Sequence, residues 1–191
     1  MMTEQSQSPQ KRLAKAVRWI RRILIVGMVV TIALVWRNYE FEFLDAERHA
    51  AVAGKVRDGA ILIYTRIDED TVLGEGTLVE AHVQVAGSLA DRLGRTEGRI
   101  LSEIRGLPGM VVSWLEKDDE RREILLDGRR TFAVLRVTWQ EALDASAKIR
   151  EGPIPAGHFL LINPAVDGEA LDSRHVGLVP RAALLRKAGW L

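Results

Sequence analysis

Apolar and polar positions divide this chain into two unlike parts. Residues 23–36 read ILIVGMVVTIALVW, 14 positions without a charge and with Thr31 alone interrupting the apolar surface. That run by itself makes ~21 Å of helix against a hydrocarbon core of ~30 Å. Trp19 and Ile20 extend it by one turn upstream, and Trp36 and Tyr39 stand where an interfacial aromatic belt belongs. Arg21 and Arg22 can lay their stems along the helix with their charges at the headgroups. The pattern predicts one membrane-spanning helix over 19–39. A cleaved leader would place small residues just after the apolar run, where Trp36-Arg37-Asn38-Tyr39 stands. A helix buried in a soluble core would show a polar face.

Beyond residue 39 the period changes to two. YEFEF (39–43) and TLVEAHVQV (77–85) alternate, and ILIYTRI (61–67) is a compact β-rich run entered by Asp58-Gly59. RILSEIRG (99–106) reads as a strand ending in the turn Leu107-Pro108-Gly109. MVVSWLEK and REILLDG follow, joined by a charged turn over 117–122, and then TFAVLRVTW (131–139) and HFLLIN (158–163). One more strand pair is expected over 175–191. Short helices are expected over 45–55 and 141–150, and a loop or short helical turn over 88–98. Short strands at this spacing, punctuated by Gly and Pro, predict a mainly β, antiparallel domain over 45–191, a sandwich or a barrel. Trp114, Trp139 and Trp190 are expected as single aromatics of its core.

Charge changes the picture at the N-terminus. Of 27 basic and 26 acidic residues, Lys11, Arg12, Lys15, Arg18, Arg21, Arg22 and Glu4 fall within 1–36. The front is thus strongly basic and the remainder mildly acidic. Cations flanking only the N-terminal side predict a cytoplasmic basic tail (1–18), polar and disordered over 1–10, and an extracytoplasmic β-domain. A mildly acidic body excludes nucleic acid as a partner. The absence of cysteine excludes disulfides, thiolate metal sites and a cysteine nucleophile. His49, His82, His158 and His175 make no i, i+4 pair, so no metal and no cofactor is expected.

The candidate chemistry lies in the C-terminal half. IPAGHFLLIN sets a Pro-x-Gly turn before an apolar strand, and Asp172 and Arg174 are spaced to pair across a tight turn. The segments 154–161, 171–174 and 176–180 resemble the C-terminal boxes of type I signal peptidases, V-P-x-G-H-Y-F-V-x-G-D-N-R-x-x-S-x-D-S-R-x-W-G-x-V-P. Residues 104–109, IRGLPG, are similar to that family's R-V-x-G-L-P-G, and ILLDG (124–128) to its L-Y-V-N-G hairpin. The resemblance is firm over about 99–188 and weak over 45–98. It implies a scaffold of Gly106, Pro108, Gly109, Pro155, Gly157, His158, Asp172, Ser173, Arg174, Gly177 and Pro180, with His158 opening its strand.

The same resemblance implies a serine nucleophile, a desolvated neutral lysine as its base, and a second serine orienting the lysine. The base position, four before the Gly of G-L-P-G, is Ser102. The nucleophile position, counted from Asp58, is His49, and no serine occurs between Tyr39 and Asp70. The orienting position is Ala170, and G-D-N has become Asn163-Pro164-Ala165-Val166. Scaffold residues are present and catalytic ones missing. The expectation is a membrane-anchored, signal-peptidase-like pseudoenzyme binding an extended peptide, a pre-protein, an active peptidase or another membrane protein. Two alternatives stand beside it. One is an active divergent membrane serine peptidase, using Ser102 with His49 as base or Ser88 with Lys55. The other is a structural subunit of a membrane assembly.

Overall fold

The computed structural model describes residues 9–45, 49, 51–57, 59–85, 87, 90–91, 94, 96–118, 121–136, 149–163 and 171–191. The apolar run lies in helix α1, Pro9–Asn38, whose segment Ala16–Asn38 is long and apolar enough to cross a membrane. α1 begins ten residues before the expected start. Proline suits the first helical turn, where its missing N–H costs nothing, and Leu13, Ala14, Lys15 and Ala16 are strong helix formers. α1 and the β-domain, which begins at Phe41, are separate units.

The β-domain contains β1 (Glu40–Phe43), β2 (Ile61–Arg66), β3 (Leu78–Gln84), β4 (Glu97–Gly106), β5 (Val111–Asp118), β6 (Arg121–Leu126), β7 (Arg129–Arg136), β8 (Gly152–Pro153) and β9 (His158–Ile162). The chain ends with helix α2 (Ser173–Val176), β10 (Val179–Pro180) and β11 (Leu184–Trp190). Two antiparallel sheets result, a seven-stranded β1-β2-β11-β3-β4-β9-β10 and a four-stranded β7-β6-β5-β8. The mainly β expectation holds. The expected C-terminal strand pair is instead α2, a two-residue strand, a 3₁₀ turn and one long strand. That long strand is inserted between β2 and β3. His49, Ala51 and Val52 are helical within the first expected helix, whereas most of 141–150 lies outside the described residues and Ile149 and Arg150 are not helical.

Alternation on the large sheet separates two cores. Leu62, Tyr64, Leu78, Leu101 and Ala188 face one way and are covered by Leu44, Ala51, Val52, Val56 and Ala60. Val79, Ala81, Ile100, Ile104, Phe159 and Leu161 face the other way. A third cluster joins Leu160 and Ile162 of β9 to Val112, Ile124 and Leu126 of the small sheet. Trp114 packs partly buried against it. Trp190 is exposed rather than in a core, because the last residues of β11 pair only with β2. Trp139 lies outside the described residues.

The small sheet holds a buried carboxylate that the hydrophobic pattern does not reveal. Glu123 accepts from Arg130 Nη2 at 2.8 Å, from the Phe132 N–H at 3.0 Å and pairs with Lys117 at 2.9 Å. Phe132 has φ of +61°, unusual for a bulky residue, and the carboxylate holds this bulge in place of a ladder bond. The Arg130 hydrogen bonds outweigh burial and hold the Glu123 carboxyl at about 2, down from 4.5. Such a depression corresponds to about 3 kcal/mol, and solvent around the half-exposed Arg130 reduces it to roughly 2 kcal/mol. Because the folded value is the lower one, this stability is present above 4.5 and is lost as pH falls towards about 2. Urea unfolding of Glu123→Gln should show a deficit of about that size at neutral pH, shrinking at pH ~3.

Candidate functional site

β4 is an interior strand, between β3 and β9, and is buried on both faces from Ile100 to Ile104. Ser102 lies opposite Val79 in the β3 register, so the two share a face. Its hydroxyl donates to Asn163 Oδ1 at 2.6 Å, with both residues buried. The Asn163 Nδ2 donates to the Leu171 carbonyl at 3.0 Å, and the Asn163 N–H to Asp172 Oδ2 at 2.9 Å. Asn163 therefore ties the strand carrying Ser102 to the turn carrying Asp172.

That turn is a capped helix start. Asp172 Oδ1 accepts the Arg174 N–H at 2.8 Å, and the Asp172 N–H donates to His175 Nδ1 at 3.3 Å, completing a capping box with histidine in the usual Glu place. The Arg174 guanidinium pairs with the same carboxylate, Nη2 to Oδ2 at 2.8 Å, with both side chains buried. Ser173 Oγ accepts the Leu161 N–H of β9 at 2.9 Å, and the Gly177 N–H closes α2 on the Ser173 carbonyl. Burial pushes the Asp172 carboxyl up, but the bond to His175, the Arg174 charge and the Asn163 N–H together hold it below the ordinary range.

The remaining scaffold residues are explained by packing and turns. A Cβ on Gly106 would meet Ile154 Cδ1 at 2.6 Å and Leu160 Cβ at 2.8 Å, so the large and small sheets touch across its bare backbone. In the turn 107–110, which contains Pro108, the Gly109 N–H donates to the Ile154 carbonyl at 2.9 Å. Pro155 accepts the His158 N–H at 3.1 Å, closing a turn that needs Gly157 at φ +71°. His158 opens β9, its Nδ1–H donating to the Ala156 carbonyl at 3.2 Å. Pro180 stands opposite His158 in the edge strand β10, where no N–H is required.

The lost-dyad positions do not share a side of the sheet. Ser102 points with Ile100 and Ile104, whereas His49 belongs to the helical turn whose Ala51 and Val52 pack against Leu101, on the opposite face. Lys55, from that same segment, is engaged by Glu103 Oε2 at 2.9 Å and the Gly76 carbonyl at 2.5 Å. The Ser102–His49 pair considered from the sequence is therefore not assembled. Ser88, Asp58 and Ala170 lie outside the described residues. Chemically, the Ser102 proton faces an amide oxygen, which cannot accept it at neutral pH. Among the described residues no group of three or more His, Asp or Glu is arranged to hold a metal ion.

Sequence reasoning missed Asn163 as the link, although a polar residue closing the apolar run HFLLI is a visible signal. It also missed Arg181, whose Nη2 gathers the carbonyls of Asp68, Glu69 and Thr71 at 2.8, 3.0 and 2.8 Å. Nothing in the local pattern couples positions so far apart. No family model and no curated protein matches this chain.

Proposed function

We propose that this chain is a membrane-anchored, signal-peptidase-like pseudoenzyme. In this reading the N-terminus is cytoplasmic and the extracytoplasmic β-domain binds an extended peptide segment, such as part of a pre-protein, without cleaving it. One observation carries the non-catalytic half of the reading. At the position where the family's base would stand, the Ser102 hydroxyl is fully buried and satisfied by Asn163. A general base must reach the proton it takes, and here none does.

The binding half draws on the sheet edge nearest the anchor. β1 begins one residue after α1 ends and is flanked only by β2. Glu42 lies 3.7 Å from Arg186, which stacks on Tyr64 of the first core face. Strand alternation then turns the exposed Phe41 and Phe43 to the other side. An added strand would take backbone hydrogen bonds from β1 and lay alternate side chains on these rings.

The test uses purified full-length protein in detergent with a pre-protein and with synthetic extended segments of it. No cleavage is expected from wild type, Ser102→Ala or Ser102→Lys, since the lysine variant would still lack a nucleophile. Binding should survive Ser102→Ala and weaken when alternate peptide nitrogens are methylated, by ~10-fold or more for two lost backbone bonds. Cleavage by wild type that vanishes in Ser102→Ala would overturn the proposal and make Ser102 the nucleophile. Absence of binding would leave a structural subunit as the better description.

A further inference from the structure

The first half of α1 has a feature that spanning a bilayer does not require. Helix Pro9–Asn38 has 30 residues, or about 45 Å, against a hydrocarbon core of about 30 Å. With Trp36 at one interface, about ten residues of its N-terminal end extend through the other headgroup layer. Lys11, Lys15, Arg18 and Arg22 recur at intervals of four, three and four, which places these positions within about 60° of one another around the helix. Arg12 and Arg21 flank them, so all six cations occupy one half of the circumference. Leu13, Val17, Ile20 and Leu24 repeat the same intervals on the opposite side, and all four are exposed. α1 contains no Asp or Glu, so its own residues leave the stripe uncompensated.

We propose that the helical stripe Lys11–Lys15–Arg18–Arg22 binds the headgroups of anionic phospholipids in the leaflet at the N-terminal end of the anchor. The inference rests on reading α1 as an anchor. Uniform positive charge suffices for orientation, and a loose basic tail would supply it. A rigid helix with cations on one side and leucine-type residues on the other instead presents adjacent ammonium and guanidinium groups at a fixed depth. The opposite stripe stays continuous with the apolar span. Phosphate oxygens are accepted bidentately by Arg and as point contacts by Lys. Clusters of this size beside a span attract acidic lipid, and salt weakens them.

Full-length protein is reconstituted in phosphatidylcholine vesicles carrying spin-labelled phosphatidylglycerol or spin-labelled phosphatidylcholine. The motionally restricted fraction of each label is then measured. Wild type should favour the phosphatidylglycerol label by on the order of fivefold, about the attraction of one well-placed cation, with a marked fall in high salt. Lys11→Gln, Lys15→Gln, Arg18→Gln and Arg22→Gln combined should bring the two labels to parity, glutamine keeping the helix intact. A variant with residues 11–22 permuted, equal in charge but with cations spread around the helix, should lose most of the preference. Equal association of both labels with wild type, or a preference surviving either variant, would overturn the proposal. Alkaline carbonate extraction separates the two readings. Release of wild type overturns the anchor and the lipid site together, whereas retention with equal label association overturns the lipid site alone.

Discussion

Asp172→Ala is expected to destabilise the β-domain by about 3–5 kcal/mol, the range for breaking a buried ion pair from one side. The carboxylate is fully buried and holds the Arg174 guanidinium, the Arg174 N–H and the Asn163 N–H at once. Its loss strands a buried cation, uncaps α2 and frees the backbone of the residue that satisfies Ser102. Asp172→Asn retains the shape and one acceptor and should cost less, with Arg174→Ala in between. Thermal or urea unfolding of the full-length protein in detergent, followed by the β signal in circular dichroism, reads the difference. A loss below ~1 kcal/mol would be the value of an exposed pair and would contradict the burial. The pH dependence has a definite sign. The folded carboxyl is held below its ordinary value, so its contribution is complete above the unfolded value near ~3.9. It disappears as pH falls through the lower folded value.

Gly106→Ala is expected to cost about 1–3 kcal/mol through overpacking. The added methyl would sit 2.6 Å from Ile154 Cδ1 and 2.8 Å from Leu160 Cβ. The first is the end of a flexible side chain, but the second is fixed to the backbone of β9, so repacking cannot relieve both. Ile154→Val removes the Cδ1 atom at a price of its own, typically 0.5–1.5 kcal/mol in a buried site. The double variant should therefore be more stable than the two losses added together, with a coupling of about 0.5 kcal/mol or more. Strict additivity in a double-mutant cycle would show that the two residues do not meet across the sheets. This prediction also gives the first Gly of G-L-P-G a packing role that does not depend on catalysis.

Much of the architecture was legible in the chain because its causes are local. Residues 23–36 carry no charge, and no strand could bury such a run in a domain of this size, so a helix was the only economical outcome. The period-two runs became β2, β3 and β4, and the turn residues Pro108, Gly109, Pro155 and Gly157 marked breaks that appear at those places. The spacing of Asp172 and Arg174 sufficed to foresee their pairing, since two residues apart on a tight turn leaves little other geometry. Helix α1, by contrast, began earlier than the apolar pattern suggested, because helix propensity continues through the basic residues after hydrophobicity has ended.

What remained invisible depends on contacts between distant segments. β11 inserts between β2 and β3, and no local pattern distinguishes that position from an edge. The alternation in LSEI shows that Ser102 and Glu103 leave β4 on opposite sides, yet not which side meets Lys55 and which meets Asn163. A hydroxyl is a nucleophile beside a base and a structural donor beside an amide, and its own sequence neighbours are the same in both cases. The sequence alone thus determined the anchor, the mainly β domain and the turns, which follow from hydrophobic period and backbone preference. Only the tertiary structure decided that Ser102 is locked against Asn163 with His49 across the sheet, because proton transfer depends on distance and on which face of a strand a side chain occupies.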